Sequence, residues 1–331
     1  MQKISVAMCT YNGAEFLSKQ LESIKQQSMP IHELVVCDDG SSDETLAILA
    51  RFSKQVTFSV QVHSNPQNLG SSKNFEKCMA LCEGDLIFLC DQDDVWMPEK
   101  VEKIVAYLAA HPEQEAVFSN ATMIDQAGFP TGKTSFEQIE FTPEVQNKWN
   151  SEGAFDILLR GYVVTGATLA IKKSALNLVL PVPEIIPDLI HDGWIALILS
   201  AHNKIGFIHD TLIEYREHAT QQVGLKGSQK HITLIDRFLR KRDAKINRIK
   251  NKQNDILKLT EHLLPLPINE LYKQKLIRRK EFYTMGYLLP YKSCRFGRNN
   301  EGINLDYRSV AQEPSLVYAA REFQRLFSIP R

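Results

Sequence analysis

Short apolar runs alternate with helical patterns through the first hundred residues of the chain. Continuous runs predict strands, and apolar residues that recur three or four positions apart predict helices. The strand segments are KISVAMCTY, HELVVC, TFSVQVHS and DLIFLC. The helical segments are AEFLSKQLESIKQQ, DETLAILARF and SSKNFEKCMALC, and a further helix is predicted to open at Pro98. This alternation predicts an α/β fold with a mainly parallel sheet that helices cover on both faces.

The pattern changes after the run AVFSNATMID. The polar stretch from Asp125 to Glu152 is interpreted as an irregular excursion, YVVTGATLAI as a strand, HDGWIALILSA as an apolar helix, and KIGFIHDTLIEYREH as a pair of strands. The segment GLKGSQ at 224–229 has a flexible composition and marks a boundary. We therefore predict a domain over residues 1–229 and a basic, mainly helical region over residues 230–331.

Charge is balanced over the whole chain and uneven along it. The 331 residues carry 39 basic and 39 acidic side chains, but residues 230–300 hold eighteen Lys or Arg and six Asp or Glu. Residues 231–260 have the pattern of a basic amphipathic helix. This helix could lie on an anionic membrane or pack on the first domain with its charges in water. No RNA-binding module is present, so nucleic acid is not an expected partner.

The N-terminal segment and the cysteines indicate the compartment. MQKISVAMCTYNG lacks the apolar core of a signal peptide, and no apolar run reaches the length of a membrane span. The six cysteines include no CxxC pair and are interpreted as buried thiols in a reducing environment. A cytoplasmic protein is expected, in contact with the inner face of the plasma membrane if the basic helix binds lipid.

Three polar clusters follow strands of the predicted sheet. They are TYNG at 10–13, DDGSSD at 38–43 and DQDD at 91–94. The carboxyl ends of parallel strands meet at one edge of a sheet, where such folds bind ligands. TYNG and DDGSSD are each also compatible with ordinary turns, in which Ser41 and Ser42 would cap a helix. Their recurrence at strand ends favours a shared nucleotide-sized site.

The DQDD cluster has two interpretations. Asp91 and Asp93 lie on one side of an extended segment and can bind Mg²⁺ or Mn²⁺ through oxygen, leaving positions for substrate phosphates. The alternative is that Asp94 caps the helix that opens at Pro98 and the others are solvated. The glycine and glutamate of a calcium-binding helix–loop–helix are absent. A first strand without GxGxxG excludes a dinucleotide-dependent oxidoreductase.

Taken together, the motifs resemble family 2 of the glycosyltransferases, which has the Rossmann-like GT-A fold. The resemblance rests on ISVAMCTYNGAEFLSKQLESIKQQ, ELVVCDDGSSDET, NLGSSKNF, GDLIFLCDQDDVWMPEKV and HDGWIALIL and covers roughly residues 3–220. It implies a metal-dependent, inverting transfer of a sugar from a nucleoside diphosphate, either UDP or dTDP, to a glycan or lipid-linked acceptor. The HDGW and YREH segments are similar to those of rhamnosyltransferase-like enzymes of bacterial surface polysaccharides such as O-antigen and capsule.

The resemblance also implies roles for individual residues. Asp192 takes the place of the catalytic base, and Asp91, Asp93 and His218 are the implied ligands of Mn²⁺ or Mg²⁺. The implied nucleotide-sugar residues are Thr10, Tyr11, Asn12, Asp39, Asn68, Lys73, Asn74, Asp91 and His191.

Three interpretations stay open at this stage. His191 departs from the polar residue usual before the base. Asp192 could instead cap the following helix, and Thr165–Ala167 could shape the acceptor side of the pocket or form a plain strand. A non-catalytic nucleotide-sugar binding or scaffold protein is the alternative function, although such a protein could lose the three aspartates that this chain keeps.

Overall fold

The computed structural model describes residues 2–159, 164–187, 189–219, 221, 242–285, 297–299 and 302–304. The chain forms two compact units, Met1–Leu239 and Arg240–Arg331. The predicted boundary at residue 229 and the predicted helix over residues 231–241 lie outside the described residues.

The first unit alternates strands and helices as its sequence pattern predicts. Its strands are β1 Ile4–Thr10, β2 Glu33–Asp38, β3 Ser59–Ser64, β4 Leu86–Cys90, β5 Val95–Trp96, β6 Ala116–Ile124, β7 Pro130–Thr134, β8 Leu169–Lys172 and β9 Ile205–Arg216. Its helices are α1 Leu17–Lys25, α2 Thr45–Phe52, α3 Ser71–Leu81, α4 Lys100–Ala110, α5 Ser135–Gln138, α6 Pro143–Glu152, α7 Ala154–Leu158, α8 Leu176–Val179 and α9 His191–Ala201.

The nine strands form one mixed sheet in the order β3-β2-β1-β4-β8-β6-β9-β5, with β7 beside β6. The strands β3, β2, β1 and β4 are parallel to one another. Strand β8 is antiparallel to β4 and to β6, so β6 and its parallel neighbour β9 run in the same direction as β1 and β4. The carboxyl ends of β1, β2, β4, β6 and β9 therefore meet at a single edge.

The core lies on both faces of the central strands. Strand β4, LIFLC, is buried along its whole length, as expected for a strand covered on both sides. Helix α1 packs Leu17, Leu21 and Ile24 inward at helical spacing. The thiols of Cys37, Cys78, Cys82 and Cys90 are free and buried, and Cys9 is free and half-buried.

Residues 125–152 are ordered into regular structure, so their prediction as an irregular excursion is wrong. They form β7, α5 and α6, and a capping box at Thr134 opens α5. An aromatic cluster holds the segment on the sheet: Phe141 lies 5.0 Å from Phe136 and 5.1 Å from Phe207 between ring centroids. Aromatic pairs of this kind add to area burial. The rings of Phe136 and Phe141 are buried, while most polar residues of the segment are exposed.

Two strand predictions also need correction. KIGFIHDTLIEYREH forms one continuous strand, β9, because a bulge in its register against β6 leaves the polar residues His209 and Asp210 exposed without ending the ladder. In the described part of YVVTGATLAI, residues 164–171, the strand begins at Leu169, and Gly166–Thr168 forms a 3₁₀ turn. That turn lies before β8 and therefore at the edge where β4 and β6 end.

Within residues 242–285 the second unit forms two helices, α10 Arg242–Leu263 and α11 Glu270–Met285. Leu263, Ile268, Tyr272 and Leu276 are buried in it. Lys280 on α11 pairs with Glu261 on α10 at 3.0 Å. None of the helices that the structure describes combines the length and apolarity needed to cross a bilayer.

Candidate active site

Five segments of the chain converge at the edge where β1, β2, β4, β6 and β9 end. The loop after β1 carries Tyr11, the loop after β4 carries Asp91 and Asp93, and β9 ends at Arg216. The turn before β8 and the first turn of α9 reach the same edge, because Gly166 N–H donates to Asp192. The three predicted clusters are thus neighbours in space.

Gln92 joins the first cluster to the third. Its Oε1 accepts from Tyr11 N–H at 2.9 Å, and its Nε2 donates to the Tyr11 carbonyl at 3.0 Å. Gly13 makes this approach possible, because a Cβ there would lie 2.1 Å from Gln92 Oε1. The Tyr11 side chain is partly exposed and remains available to stack on a ligand. The sequence carries no signal for this role of Gln92.

The paired aspartates Asp38 and Asp39 have different partners. Asp38 accepts from Thr10 Oγ1 at 2.8 Å and from the N–H of Ser41 at 2.9 Å, so it shapes the turn after β2. Asp39 Oδ1 accepts from Leu69 N–H and its Oδ2 from Gly70 N–H, at 2.8 and 2.9 Å. Asp39 therefore anchors the loop before α3.

Asn12 and Ser41 couple the loops after β1 and β2. Asn12 adopts a positive φ of 48°, its N–H donates to Ser41 Oγ at 2.9 Å, and its Oδ1 accepts from Ser42 N–H at 2.8 Å. Asparagine tolerates this backbone conformation better than most residues. Ser41 and Ser42 serve these contacts, and their prediction as helix caps is wrong because α2 begins at Thr45 after Glu44.

The polar side chains of the NLGSSKNF segment form hydrogen bonds mainly with other residues of the chain. Asn68 Nδ2 donates to the Asp39 carbonyl at 3.3 Å, and Asn74 is buried with its Nδ2 on the Cys37 carbonyl at 2.8 Å. Lys73 Nζ donates to Glu76 and to the Val182 carbonyl at 2.9 and 2.8 Å. These contacts position the edge of the site, and nucleotide binding by Asn68, Lys73 and Asn74 stays a prediction.

The acidic loop after β4 holds three carboxylates in different states. The Asp91 carboxyl group makes no hydrogen bond or ion pair with the described residues, and burial, with the charges of Asp93 and Asp192, raises its pKa to about 8. Asp94 is buried; its Oδ1 accepts from Arg216 N–H at 2.9 Å, and its Oδ2 has no hydrogen-bond partner among the described residues. Burial, followed by the charges of Asp93 and Asp91, raises the pKa of Asp94 well above its usual range. Helix α4 begins at Lys100 without a side-chain cap, so the alternative in which Asp94 caps it is wrong.

Asp93 pairs with the predicted metal ligand His218. Asp93 Oδ2 lies 2.7 Å from His218 Nε2, and both side chains are largely buried. The His218 ring packs on Phe16 with 4.9 Å between ring centroids. Two predicted ligands that are far apart in sequence are thus in contact.

Two buried cations flank the acidic loop, and sequence reasoning missed both. Lys100 is fully buried; its Nζ donates to the Ala167 carbonyl at 2.7 Å and lies 4.0 Å from the Trp96 ring centroid. Burial lowers its pKa to about 8, opposed by the charges of Cys90, Asp94 and Asp91. Lys100 lies four and eight positions before Ile104 and Leu108, on the apolar stripe of α4. This spacing was the sequence signal for its burial. Arg216, the second cation, is described below.

Asp192 lies in the first turn of α9. Its Oδ2 accepts from Gly166 N–H at 2.9 Å, and its Oδ1 accepts from Gly193 N–H at 2.6 Å. The residue that precedes α9 is Ile190, so Asp192 is not the N-cap. Two backbone donors thus orient this carboxylate toward the Thr165–Ala167 turn, close enough to Asp91 for its charge to raise the Asp91 pKa.

His191 is buried beside Asp192. Its ring stacks on Phe75 with 4.2 Å between centroids, and neither ring nitrogen has a hydrogen-bond partner among the described residues. Burial lowers its pKa, so the neutral imidazole is favoured. A Cβ at Gly166 would lie 3.0 Å from His191 Nε2, which shows how tightly the turn approaches this ring.

The side chains at this edge could bind a divalent cation whose further ligands come from the substrate. The Asp91 carboxyl group has no hydrogen-bond or ion-pair partner in the described part of the chain, and Asp93, which contacts His218, is near enough for its charge to act on Asp91. Mg²⁺ and Mn²⁺ favour such oxygens and complete their coordination with water or phosphate. Among the residues that the structure describes, no three His, Cys, Asp or Glu side chains already form a metal cluster. The remaining ligands would therefore come from the substrate.

Comparisons with known proteins identify the class to which this fold and edge belong. Residues 5–179 match the model of glycosyl transferase family 2, and the chain belongs to that family. The family resemblance predicted from sequence is thereby confirmed. The protein is a family 2 glycosyltransferase with a mixed-sheet α/β fold of the GT-A type.

Individual relatives give the range of similarity. The chain is 32% identical over 126 residues to the putative glycosyltransferase EpsE of Bacillus subtilis, and it spans about half of that protein, 45%. It is 26% identical over 257 residues to the dTDP-rhamnosyl transferase RfbG of Shigella flexneri, covering 72% of this chain and 83% of RfbG. The crystal structure of S. aureus TarS 1–349 in complex with UDP-GlcNAc superposes with a TM-score of 0.58 at 16% identity, covering 98% of this chain and 81% of that one.

Proposed function

We propose that the protein transfers a sugar from a UDP- or dTDP-linked donor to a hydroxyl group of a glycan or lipid-linked acceptor, with inversion at the anomeric carbon. The observation that carries the proposal is the meeting of Asp91, Asp93 and Asp192 at one edge of the sheet. RfbG, a relative named for dTDP-rhamnosyl transfer, and TarS, solved with UDP-GlcNAc, support the two donor bases.

Asp192 is proposed as the general base. An acceptor hydroxyl attacks the anomeric carbon, the bond from that carbon to the diphosphate oxygen breaks, and the hydroxyl proton passes to the Asp192 carboxylate. The N–H groups of Gly166 and Gly193 hold that carboxylate before the substrate arrives. Preorganised orientation of this kind removes reorganisation from the barrier.

Asp91, Asp93 and His218 are proposed to hold Mn²⁺ or Mg²⁺. The cation would neutralise charge that develops on the leaving diphosphate. The Asp91 carboxyl group would give up no partner among the residues that the structure describes, and Asp93 and His218 are already in contact. Tyr11, Asn12 and the loop that Asp39 anchors are proposed to bind the nucleoside.

The wider role is proposed to be synthesis of a bacterial surface polysaccharide such as O-antigen or capsule, on the cytoplasmic side of the membrane. The resemblance of the HDGW and YREH segments to those of rhamnosyltransferase-like enzymes supports the polysaccharide role, and the basic C-terminal region supports the membrane location. In α11 the apolar side chains of Leu271 and Ile277 are exposed near the basic residues Lys275 and Arg278. Exposed apolar and basic groups together favour an anionic lipid surface.

A donor panel tests the proposal. The protein is incubated with UDP-, dTDP- and GDP-sugars and Mn²⁺, with and without candidate acceptors, and release of nucleoside diphosphate is measured. We expect release with a UDP- or dTDP-sugar that increases with acceptor. Binding of nucleotide sugar without release from any donor would instead identify a non-catalytic binding protein.

A further inference from the structure

Arg216 is a fully buried cation at the last position of β9, next to the acidic loop. The structure shows no ion pair between its guanidinium and a carboxylate of a described residue; the hydrogen bonds it donates end on backbone carbonyl oxygens. A buried charge needs nearby compensation. The carboxyl groups of Asp93 and Asp94 lie close by, and the guanidinium donates to no oxygen of the Asp91 or Asp93 side chain.

The first set of contacts fixes the main chain of the acidic loop. Arg216 Nε donates to the Asp93 carbonyl at 2.7 Å, and Arg216 backbone N–H donates to Asp94 Oδ1 at 2.9 Å. Two residues further along the same segment, His218 Nε2 lies 2.7 Å from Asp93 Oδ2. The segment 216–218 therefore holds both the peptide and the carboxylate of Asp93.

The second set of contacts joins the turn between β6 and β7 to that loop. Arg216 Nη1 lies 3.2 Å from each of the carbonyl oxygens of Asp125 and Gln126. Gly128 in this turn has a φ of +94°, and a Cβ there would lie 3.4 Å from Nη1. Gln126 Nε2 continues the connection to Glu15 Oε1 at 3.2 Å.

The third contact is with the segment that opens α1. The guanidinium carbon of Arg216 lies 4.8 Å from the centroid of the Phe16 ring, which also packs on His218. Stacking on an aromatic face and donation in several fixed directions are properties of arginine that lysine lacks. One side chain thus joins the loop after β4, the turn after β6 and the start of α1.

We propose that Arg216 is a positioning residue for the cation-binding end of the active site. It holds Asp93 and His218 in the arrangement that binds Mn²⁺ or Mg²⁺, and it supplies positive charge without using the ligand oxygens. The assignment rests on the proposed metal dependence, and it adds a residue that does not itself touch metal or substrate.

The test compares Arg216→Met and Arg216→Lys with wild type. Arg216→Met removes the side-chain donor to the carbonyls of Asp93 and Gln126, leaves the Asp125 carbonyl with Gly128 N–H alone, and removes the ring-stacked charge. We expect its dissociation constant for Mn²⁺ to rise by about 10-fold or more, a size typical of lost outer-shell partners of a metal site. Arg216→Lys keeps the charge but offers a single donor nitrogen. Its dissociation constant for Mn²⁺ should lie between those of wild type and Arg216→Met.

Free Mn²⁺ is measured by electron paramagnetic resonance during titration of the full-length protein, with and without UDP or dTDP. If Arg216 served only stability, its replacement would lower the fraction of folded molecules. The dissociation constant for Mn²⁺ of each folded molecule would then stay unchanged. Arg51→Met makes the same chemical change at an exposed position of α2 and should bind Mn²⁺ as wild type does.

Two results would overturn the assignment alone: wild-type Mn²⁺ affinity in folded Arg216→Met, or failure of both variants to fold, which would mean that Arg216 serves folding only. Absence of Mn²⁺ binding by the wild-type protein would instead contradict the proposed metal dependence, and the assignment with it. The wild-type titration separates these cases.

Discussion

Replacement of Asp192 by asparagine tests the proposed base most directly. The change preserves size but turns one carboxylate oxygen into an NH₂ group. Gly166 N–H and Gly193 N–H donate to different oxygens of this carboxylate, at 2.9 and 2.6 Å. In the variant only one of these two N–H groups can still donate to an oxygen. The other faces the asparagine NH₂ group, which is itself a donor. A buried donor left without a partner costs about 1–3 kcal/mol, so the free energy of unfolding should fall by that amount.

The effect on transfer should be larger than the effect on stability. Asparagine cannot accept the acceptor hydroxyl proton, and a general base contributes typically ~10²–10⁴-fold to the rate. We expect kcat to fall by at least ~10²-fold, which is about 2.7 kcal/mol in the activation free energy. Nucleotide-sugar affinity should change little, because the loops after β1 and β2 are proposed to carry the nucleoside.

Three measurements are made on one preparation: steady-state release of nucleoside diphosphate, calorimetric binding of the nucleotide sugar, and denaturant unfolding. Asp210→Asn, at an exposed position of β9, is the matched control and should leave all three close to wild type. A kcat within about threefold of wild type would show that no transition-state interaction was lost at this position. Asp192 would then leave the mechanism, and His191 would be the next candidate.

Three further predictions follow from the same site and from the basic region. Chelation by EDTA should abolish turnover, and Asp93→Ala should do likewise in folded protein, because the leaving diphosphate is itself anionic. Removal of the residues after Gln229 should weaken binding to anionic liposomes, measured by co-sedimentation, and binding by the full chain should fall with salt because screening acts over roughly 8 Å at physiological ionic strength. The burial that lowers the pKa of Lys100 from 10.5 to about 8 means that the unfolded chain binds a proton between these pH values that the folded chain lacks. Stability contributed by Lys100 therefore rises with pH over this window, and the difference in unfolding free energy between wild type and Lys100→Met should grow by about 2 kcal/mol from pH 7.5 to 9.5.

Each of these predictions has a contrary result. Full turnover in excess EDTA would contradict the metal assignment. Equal liposome binding with and without the residues after Gln229 would remove the basic region from membrane contact, and an insoluble truncated protein would favour a helix packed on the first domain. A pH-independent difference between wild type and Lys100→Met would show that the lysine keeps an ordinary pKa beside Asp91, Asp94 and Cys90.

The fold was largely predictable because local periodicity determines its first half. Strands such as Leu86–Cys90 are continuous apolar runs, and α3 matches the predicted segment SSKNFEKCMALC almost residue for residue. Residues 125–152 were not predictable from local pattern. Their order depends on Phe136, Phe141 and Trp149 meeting Phe118 and Phe207, which come from distant parts of the chain.

The loops that form the candidate site were predictable from the sequence. The contacts that each residue makes within those loops were less so. Polar clusters at strand ends identify the ligand-binding edge of the sheet, because the carboxyl ends of parallel strands lie at the same edge. Which member of a pair faces a ligand depends on turn geometry: Asp38 is used by its own turn, while Asp39 reaches the loop before α3. The contacts of Gln92 and Arg216 depend on register between elements far apart in sequence, which no local pattern encodes.

The two buried cations help to explain how this edge keeps several carboxylates together. Asp91 and Asp94 have raised pKa values because burial disfavours their charged forms, and their neighbours add repulsion. The backbone N–H of Arg216 lowers the pKa of Asp94, and the charge of Lys100 lowers the pKa of both carboxyl groups, yet the side chains of Lys100 and Arg216 donate to backbone carbonyls. The carboxylate of Asp91 is therefore compensated in charge without being occupied as a ligand. A direct ion pair to Asp91 would have to break before a cation could bind there. Donation to the backbone avoids that competition, because the two cations contact the loops and leave the Asp91 oxygens available to the proposed metal ion.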